Sequence, residues 1–296
     1  MKLVADTGTR RFPGATTLAV TSGKGGVGKT NVVVNLAVAL SRLEKRVGIL
    51  DADFGLGNVD VLLGLAPPYH LGHLLEGDRS IREIMVEGPG GVQIIPAGSG
   101  LQELTALSAQ QWERLNTAFD SITSELDYFL IDTAAGVSDN VLQLLMAAHK
   151  VLLVTSLEPT AMVDAYALVK ILTLTDSRKA IGLLVNGARD ADEADLVFKQ
   201  LDMAATRFLH RRLQYFGFIE HDPAVREAVL VQKPIVTHLP QSPASRSFRI
   251  LASRISSLAP IGRRNLRLVS HRGADLDAEP EADEITTLTV PIETGP

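Results

Sequence analysis

The sequence contains no cysteine among its 296 residues. Disulfide bonds, thiolate nucleophiles and cysteine-ligated zinc are therefore excluded. The seven histidines do not pair at a spacing of four residues on one helical face, so we expect no histidine-based metal site either. The lack of cysteine is consistent with a reducing cytoplasm, where we expect the protein to act.

Long apolar runs and an excess of positive charge are also missing. The run VVVNLAVAL at residues 32–40 is interrupted by Asn35, whereas a transmembrane helix needs about 20 apolar residues. The amino terminus lacks the apolar segment that defines a signal peptide. A net charge of −5 and an aromatic content of 5% give no general attraction to nucleic acid and no stacking surface for single strands. We therefore expect a soluble intracellular protein that does not bind nucleic acid directly.

Short β-rich runs alternate with helical patterns along most of the chain. Strands are predicted at residues 17–22, 46–53, 91–97, 127–134, 150–156, 179–186 and 214–220, and helices at residues 29–43, 109–126, 139–149, 163–174 and 193–208. Apolar strands between helices are typical of a parallel sheet covered on both faces. We predict a single α/β domain at residues 17–259 with a mostly parallel, twisted sheet. Residues 1–16 are predicted to be an amino-terminal extension, and residues 260–296, basic and then acidic, are predicted to be a disordered tail.

The stretch TSGKGGVGKTN contains two nucleotide-binding motifs at once. Gly23, Gly25 and Gly28 fit the G-x-G-x-x-G fingerprint of dinucleotide-binding folds, and residues 23–30 fit the G-x-x-x-x-G-K-[ST] motif of phosphate-binding P-loops. Both motifs place backbone N–H groups at the start of a helix, where an anion can bind. The glycines alone therefore do not separate a redox cofactor from a nucleoside triphosphate.

Three charged or polar features favour the triphosphate. Lys29 and Thr30 follow the last glycine directly, where a P-loop needs an ammonium for the phosphates and a hydroxyl for Mg²⁺. Asp132 ends the apolar run YFLID, as a Walker B acid does. Lys24 adds a second cation inside the loop, which suits the charge of a polyphosphate. The sequence thus predicts a P-loop NTPase domain that binds ATP and Mg²⁺.

The motif GKGGVGKT, which carries Lys24 in addition to Lys29, resembles the deviant Walker A box of the MinD/ParA ATPases. The segments at residues 50–65, 94–100, 131–136 and 158–170 are similar to the flagellar-number regulators of that family, the FleN/FlhG branch. The resemblance covers residues 17–258. It implies a MinD-like fold and a Mg²⁺-dependent ATPase that dimerises around two ATP molecules.

The resemblance also implies roles for individual residues. Lys24 would reach the phosphates bound by the partner subunit, in the manner of an arginine finger. Asp53 would position the attacking water, although it could instead cap the segment that follows. Glu158 would contact the nucleotide across the dimer, and Asn186 would read adenine, unless it only forms a turn.

The expected site comprises three sets of residues. The expected catalytic residues are Lys24, Lys29 and Asp53. The expected nucleotide-binding residues are Gly23, Lys24, Gly25, Gly26, Val27, Gly28, Lys29, Thr30, Asn31, Glu158 and Asn186. The expected Mg²⁺ residues are Thr30, Asp132 and Asp51, and Asp51 has an alternative role in supporting the P-loop.

The family resemblance implies partners as well. The expected function is a dimerisation switch that controls flagellar number by antagonising an enhancer-binding transcription activator, with a signal-recognition-type flagellar GTPase as a further partner. The alternative is a MinD-like positioning ATPase that acts mainly through ATP-dependent membrane binding, at the cell pole or inner membrane. The amphipathic stretch at residues 246–259 suits either a membrane-surface helix or the last packed helix of the domain. Residues 1–16 lack the GTPase-stimulating signature that some family members carry.

Overall fold

The computed structural model describes residues 14–98 and 107–258. Most of the predicted extension at residues 1–16 and the whole predicted tail at residues 260–296 lie outside the described residues. The limits assigned to the domain therefore stay a prediction.

The described chain alternates strands and helices, as the sequence predicts. The strands are β1 (Thr16–Thr21), β2 (Val47–Ala52), β3 (Val86–Glu87), β4 (Gln93–Ile95), β5 (Tyr128–Thr133), β6 (Lys150–Thr155), β7 (Ala180–Ala188) and β8 (Gln214–Glu220). The helices are α1 (Lys29–Ser41), α2 (Val59–Leu62), α3 (Leu71–Glu76), α4 (Ile81–Ile84), α5 (Ala109–Thr123), α6 (Asp139–Ala147), α7 (Pro159–Thr175), α8 (Ala191–Leu209), α9 (Ala224–Leu230), α10 (Ile235–His238) and α11 (Pro243–Ser257). The prediction missed β3 and the short helices, because elements of two to seven residues are too brief to show a hydrophobic period.

The eight strands in the described part of the chain form one sheet in the order β3-β4-β2-β5-β1-β6-β7-β8. Every pairing is parallel except that of β3 with β4. β1 lies in the interior of the sheet, between β5 and β6. The carboxyl ends of these parallel strands meet at one edge, which is where open α/β sheets bind ligands.

Each face of the sheet is covered by its own layer of helices. On one face, Phe129 and Leu153 pack among buried side chains of α5, α6, α7 and α8. On the other face, Leu130 and Leu152 pack among buried side chains of α1 and α11. Successive residues of a strand point to opposite faces, so a strand buried on both sides must be apolar throughout. This explains the continuous apolar runs in the sequence, and the predicted fold class is confirmed.

The amphipathic stretch near the carboxyl terminus is a packed helix in this structure. Phe248, Leu251 and Ile255 of α11 are buried, and α11 packs against α1 and β8. Ile250 and Arg246 lie on the exposed side. The apolar stripe therefore faces the core rather than solvent. Within the described ranges, no helix is long and apolar enough to span a membrane.

Candidate nucleotide-binding site

The glycine-rich loop connects β1 to α1 at the carboxyl edge of the sheet. Gly28 precedes the first residue of α1 and has a φ of 87°, in the left-handed region. No side chain caps the amino terminus of α1, and its first turn contains no acidic residue. The first N–H groups of a helix need an acceptor, and their partial positive charge favours an anion. The loop therefore leaves a helix start that suits a phosphate group.

Two of the loop glycines are required by close neighbours. A Cβ atom at Gly23 would lie 2.3 Å from the backbone carbonyl carbon of Asp164, in α7. A Cβ atom at Gly28 would lie 2.4 Å from Nδ2 of Asn186, which donates a hydrogen bond of 2.7 Å to the carbonyl oxygen of Val27. The loop is thus clamped between α7 and the end of β7. Asn186 lies at the site, where its amide nitrogen holds the P-loop.

Lys29 and Thr30 converge on Asp132, at the end of β5. The ammonium of Lys29 lies 3.1 Å from Oδ1 of Asp132, and the side chains are only 10% and 1% exposed. The hydroxyl of Thr30 also forms a hydrogen bond with Asp132. Burial raises the pKa of Asp132 above its ordinary value, while the charge of Lys29 opposes that shift. The predicted P-loop lysine, hydroxyl and Walker B acid are therefore neighbours.

Asp51 is a second buried carboxylate beside this group. It stands opposite Asp132 in the parallel register of β2 and β5 and is 1% exposed. Its Oδ1 accepts a hydrogen bond from N–H of Asp53, and its Oδ2 accepts one from N–H of Val59. Burial, together with the charge of Asp132, raises the pKa of Asp51 to about 7. Asp51 holds the loop after β2, and its role as a Mg²⁺ residue stays a prediction.

The donor set suits a divalent cation bound together with phosphates. No group of three or more His, Asp or Glu side chains in the described ranges is arranged to hold a metal by itself. Mg²⁺ needs no such cage, since it commonly takes one or two protein groups plus phosphate and water oxygens. The ammonium of Lys29 contacts Asp132, and the charge of Asp132 acts on Asp51, so a further positive charge here would relieve the repulsion between the two carboxylates. The residues present fit Mg²⁺ with a nucleoside triphosphate.

Asp53 lies just beyond β2, next to Asp51, whose Oδ1 accepts a hydrogen bond from the N–H of Asp53. One of its oxygens, Oδ1, accepts a hydrogen bond of 3.2 Å from N–H of Leu56. Its charge contributes to the raised pKa values of Asp51 and Asp132. Asp53 thus caps the turn that follows, as the alternative interpretation of the sequence proposes. That contact uses one oxygen, and the water-positioning role stays a prediction.

Lys24 lies at the rim of the cleft and is paired within its own chain. Its ammonium lies 2.5 Å from Oε2 of Glu158 and 3.0 Å from Oγ1 of Thr160. The hydroxyl of Ser22 donates to the carbonyl oxygen of Lys24 and shapes the loop. The cleft has a volume of about 330 Å³, and its lining residues are Lys24, Gly25, Gly26, Val27, Gly28, Ser156, Glu158 and Asn186. Most of the predicted nucleotide-binding residues therefore share one cavity.

Comparison with known proteins agrees with this geometry. A model of the ParA family, described as NUBPL iron-transfer P-loop NTPase, matches residues 15–256. The chain belongs to the ParA family of P-loop NTPases.

Two relatives and one solved structure show where it lies in the family. The chain is 46% identical over 240 residues to the antiactivator FleN of Pseudomonas aeruginosa, covering 81% of this chain and 86% of FleN. It is 32% identical over 246 residues to the flagellum site-determining protein YlxH of Helicobacter pylori, covering 83% of each. The cell division ATPase MinD of Pyrococcus furiosus matches with a TM-score of 0.70 and 25% identity, covering 83% of this chain and 100% of MinD. The resemblance to MinD/ParA ATPases and to FleN is confirmed.

The sequence analysis did not single out two polar residues of this ParA-family site, Ser156 and Thr160. Ser156 lines the cleft, and its buried hydroxyl has no hydrogen-bond partner in the described part of the chain. Thr160 binds Lys24. Ser156 directly follows β6, so the rule that ligands bind beyond the carboxyl ends of strands could have found it. Asn31 instead bonds to Asn35 and borders a separate crevice between α1 and α9, so its nucleotide contact stays a prediction.

Proposed function

We propose that the protein is an ATP-binding and ATP-hydrolysing switch that dimerises with ATP and regulates flagellar number. One observation carries the catalytic part of the proposal. Lys24, the lysine that the loop carries in addition to the P-loop lysine Lys29, lies with Glu158 at the open rim of the cleft. The uncapped start of α1 faces the same cleft. Groups at an open rim can reach a ligand bound by a second copy. The similarity to the antiactivator FleN carries the flagellar part.

The residues of the site divide the work in this proposal. The loop N–H groups and Lys29 bind the phosphates, because they combine a helix start with a buried ammonium. Thr30, Asp132 and Asp51 are the side chains that would hold Mg²⁺. The ion, when bound, neutralises charge on the phosphates. Asn186 keeps the loop in place through Val27 and lies at the cleft where the base would bind.

Hydrolysis requires two further groups. Asp53, with one oxygen engaged by Leu56, would use the other to orient a water molecule toward the terminal phosphate. Lys24 would stabilise the charge that develops on the phosphates of the partner subunit. Because that cation comes from the other subunit, ATP turnover would be coupled to dimerisation. The formation of ADP would then let the dimer dissociate into monomers.

Two substitutions test the switch. Lys24→Ala and Asp53→Ala are both expected to abolish ATP hydrolysis, but only Lys24→Ala is expected to abolish ATP-dependent dimerisation. The measurements are phosphate release and sedimentation velocity with and without ATP. Lys199→Ala is the matched control, because Lys199 is an exposed lysine on α8. A normal ATP-dependent dimer of Lys24→Ala would contradict the role across subunits.

The proposed output is binding of an enhancer-binding flagellar transcription activator by the ATP-bound dimer in the cytoplasm. A signal-recognition-type flagellar GTPase is a further proposed partner. A pull-down from native cytoplasm with and without ATP tests both, and Lys24→Ala serves as the monomeric control. Capture that is independent of ATP and unchanged in Lys24→Ala would contradict a dimer-specific output.

Membrane recruitment through residues 246–257 is not part of the proposal. The apolar residues that such a helix would insert into lipid, Phe248 and Leu251 among them, are 2% and 1% exposed in α11. Exposing them would leave apolar surface of α1 and β8 in water. Co-sedimentation with anionic liposomes, with and without ATP, tests this: ATP-dependent binding would favour the MinD-like positioning function instead.

A further inference from the structure

Lys24 and Glu158 are separated by 134 positions in the sequence and meet at the junction between the P-loop and α7. Glu158 is the residue before the first turn of α7, and Thr160 is the second residue of that turn. Both side chains accept hydrogen bonds from the Lys24 ammonium, with distances of 2.5 Å and 3.0 Å. The start of α7 thus provides a carboxylate and a hydroxyl for one lysine of the loop.

This pairing has an electrostatic consequence for the cleft. Glu158 lines a cavity whose other elements favour an anion, and a free carboxylate there would oppose phosphate binding. Lys24 neutralises it. The side chains are 39% and 65% exposed, so water screens their attraction. Exposed pairs of this kind are weak, and the lysine can therefore exchange to another anion.

We propose that Glu158 and Thr160 form a receptor within the same chain that holds Lys24 before dimerisation and that Lys24 must leave in order to reach the nucleotide of a second copy. The inference rests on the proposed function of Lys24 across subunits. In it Thr160 is a positioning residue that acts through Lys24 and contacts no nucleotide. The receptor opposes dimerisation, because an ammonium engaged within its own chain is not available to the partner.

The expected size of the effect follows from the exposure of the contact. The Thr160 hydroxyl is a neutral acceptor at an exposed site, so its loss should change the equilibrium by no more than the loss of an exposed ion pair does, a factor of about 1.4 to 5. Each of the two subunits must release its own Lys24 side chain when a dimer forms, so the two factors multiply to about 2 to 25. Weakening the receptor should therefore lower the protein concentration needed for ATP-dependent dimerisation, by an amount within that range.

Thr160→Val is the test variant, because it removes the acceptor and leaves Lys24 and Glu158 intact. Thr160→Ser keeps the hydroxyl and should behave as the wild type does. Thr175→Val is the matched control: Thr175 is an exposed threonine in the last turn of the same helix, and its hydroxyl donates to the carbonyl oxygen of Ile171. All variants are made in the full chain.

Two readouts separate the receptor from the proposed function. In the nucleotide-free chain, acetic anhydride labelling followed by mass spectrometry measures the reactivity of Lys24, which should rise in Thr160→Val only. With the ATP analogue AMP-PNP and Mg²⁺, sedimentation velocity measures the dissociation constant of the dimer. This constant should fall by about 2- to 25-fold in Thr160→Val only.

Each outcome supports or overturns the inference. Faster labelling together with tighter dimerisation, both restored to normal in Thr160→Ser, supports the receptor. Unchanged labelling of Lys24 in Thr160→Val overturns the contact, and faster labelling with an unchanged dimerisation constant overturns its opposition to dimerisation. If wild type remains monomeric with AMP-PNP, the proposed dimerisation itself has failed, and the labelling result still decides whether the contact exists.

Discussion

Three glycines of the P-loop should respond very differently to the same substitution by alanine. Gly25 has no atom within 4 Å of an added Cβ and no left-handed φ. Gly26 also has open space around an added Cβ, but its φ is 81°. Gly28 combines a φ of 87° with an added Cβ only 2.4 Å from Nδ2 of Asn186. The series therefore separates the backbone cost from the steric cost.

The magnitudes follow from these differences. Alanine in the left-handed region costs about 1 to 2 kcal/mol, which is the whole expected loss for Gly26→Ala. In Gly28→Ala the amide of Asn186 must also move, which breaks its 2.7 Å hydrogen bond to Val27 and adds about 1 kcal/mol. We expect about 2 to 3 kcal/mol for Gly28→Ala, and no loss or a slight gain for Gly25→Ala.

Thermal unfolding of the nucleotide-free protein measures the series. Each kcal/mol should lower Tm by about 2 to 4 °C for a domain of this size. Asn186→Ala in the Gly28→Ala background should cost almost nothing further, because the hydrogen bond is already broken there. Equal losses for Gly25→Ala and Gly28→Ala would refute the reasoning, as would full additivity of Gly28→Ala with Asn186→Ala.

The remaining predictions concern the neighbours of the loop. Asn186→Ala should weaken ATP and GTP binding alike, by about 2- to 12-fold, because the lost hydrogen bond holds the loop; a loss confined to ATP in a binding titration would favour adenine reading instead. Gly23→Ala should lower Tm more than Gly28→Ala, because the added Cβ meets the backbone of Asp164, which cannot rotate away; a smaller drop would contradict this. The pKa of Asp51 is about 7 in the folded chain and 3.8 ordinarily, so the folded state holds the proton more tightly. That contribution to stability is complete below about pH 3.8 and is lost as the pH rises through about 7. In EDTA without nucleotide, the unfolding free energy of wild type should fall over this range relative to Asp51→Asn, and parallel pH curves would contradict the assignment.

Much of the fold could be predicted because each strand is buried on both faces. β2 and β5 are buried at every position, so each begins with a continuous apolar run. Asp51 and Asp132 follow these runs, and each is the last residue but one of its strand. The two-residue strand β3 carries no such pattern and was missed. The stretch that became α11 left two interpretations open, because an amphipathic helix has the same period whether its partner is lipid or protein. Only the presence of α1 and β8 beside it decided the matter.

The sequence by itself determined the chemistry of the site, and the tertiary structure decided which distant residues contact one another there. The order of residues from Gly23 to Thr30 is enough to specify a phosphate-binding turn, because the glycines, the lysine and the hydroxyl group that form it are close together in the sequence. No local pattern could pair Lys24 with Thr160, or Asn186 with Val27, since those partners are 136 and 159 positions apart. They meet because the parallel order of β1, β6 and β7 brings the ends of those strands to one edge of the sheet.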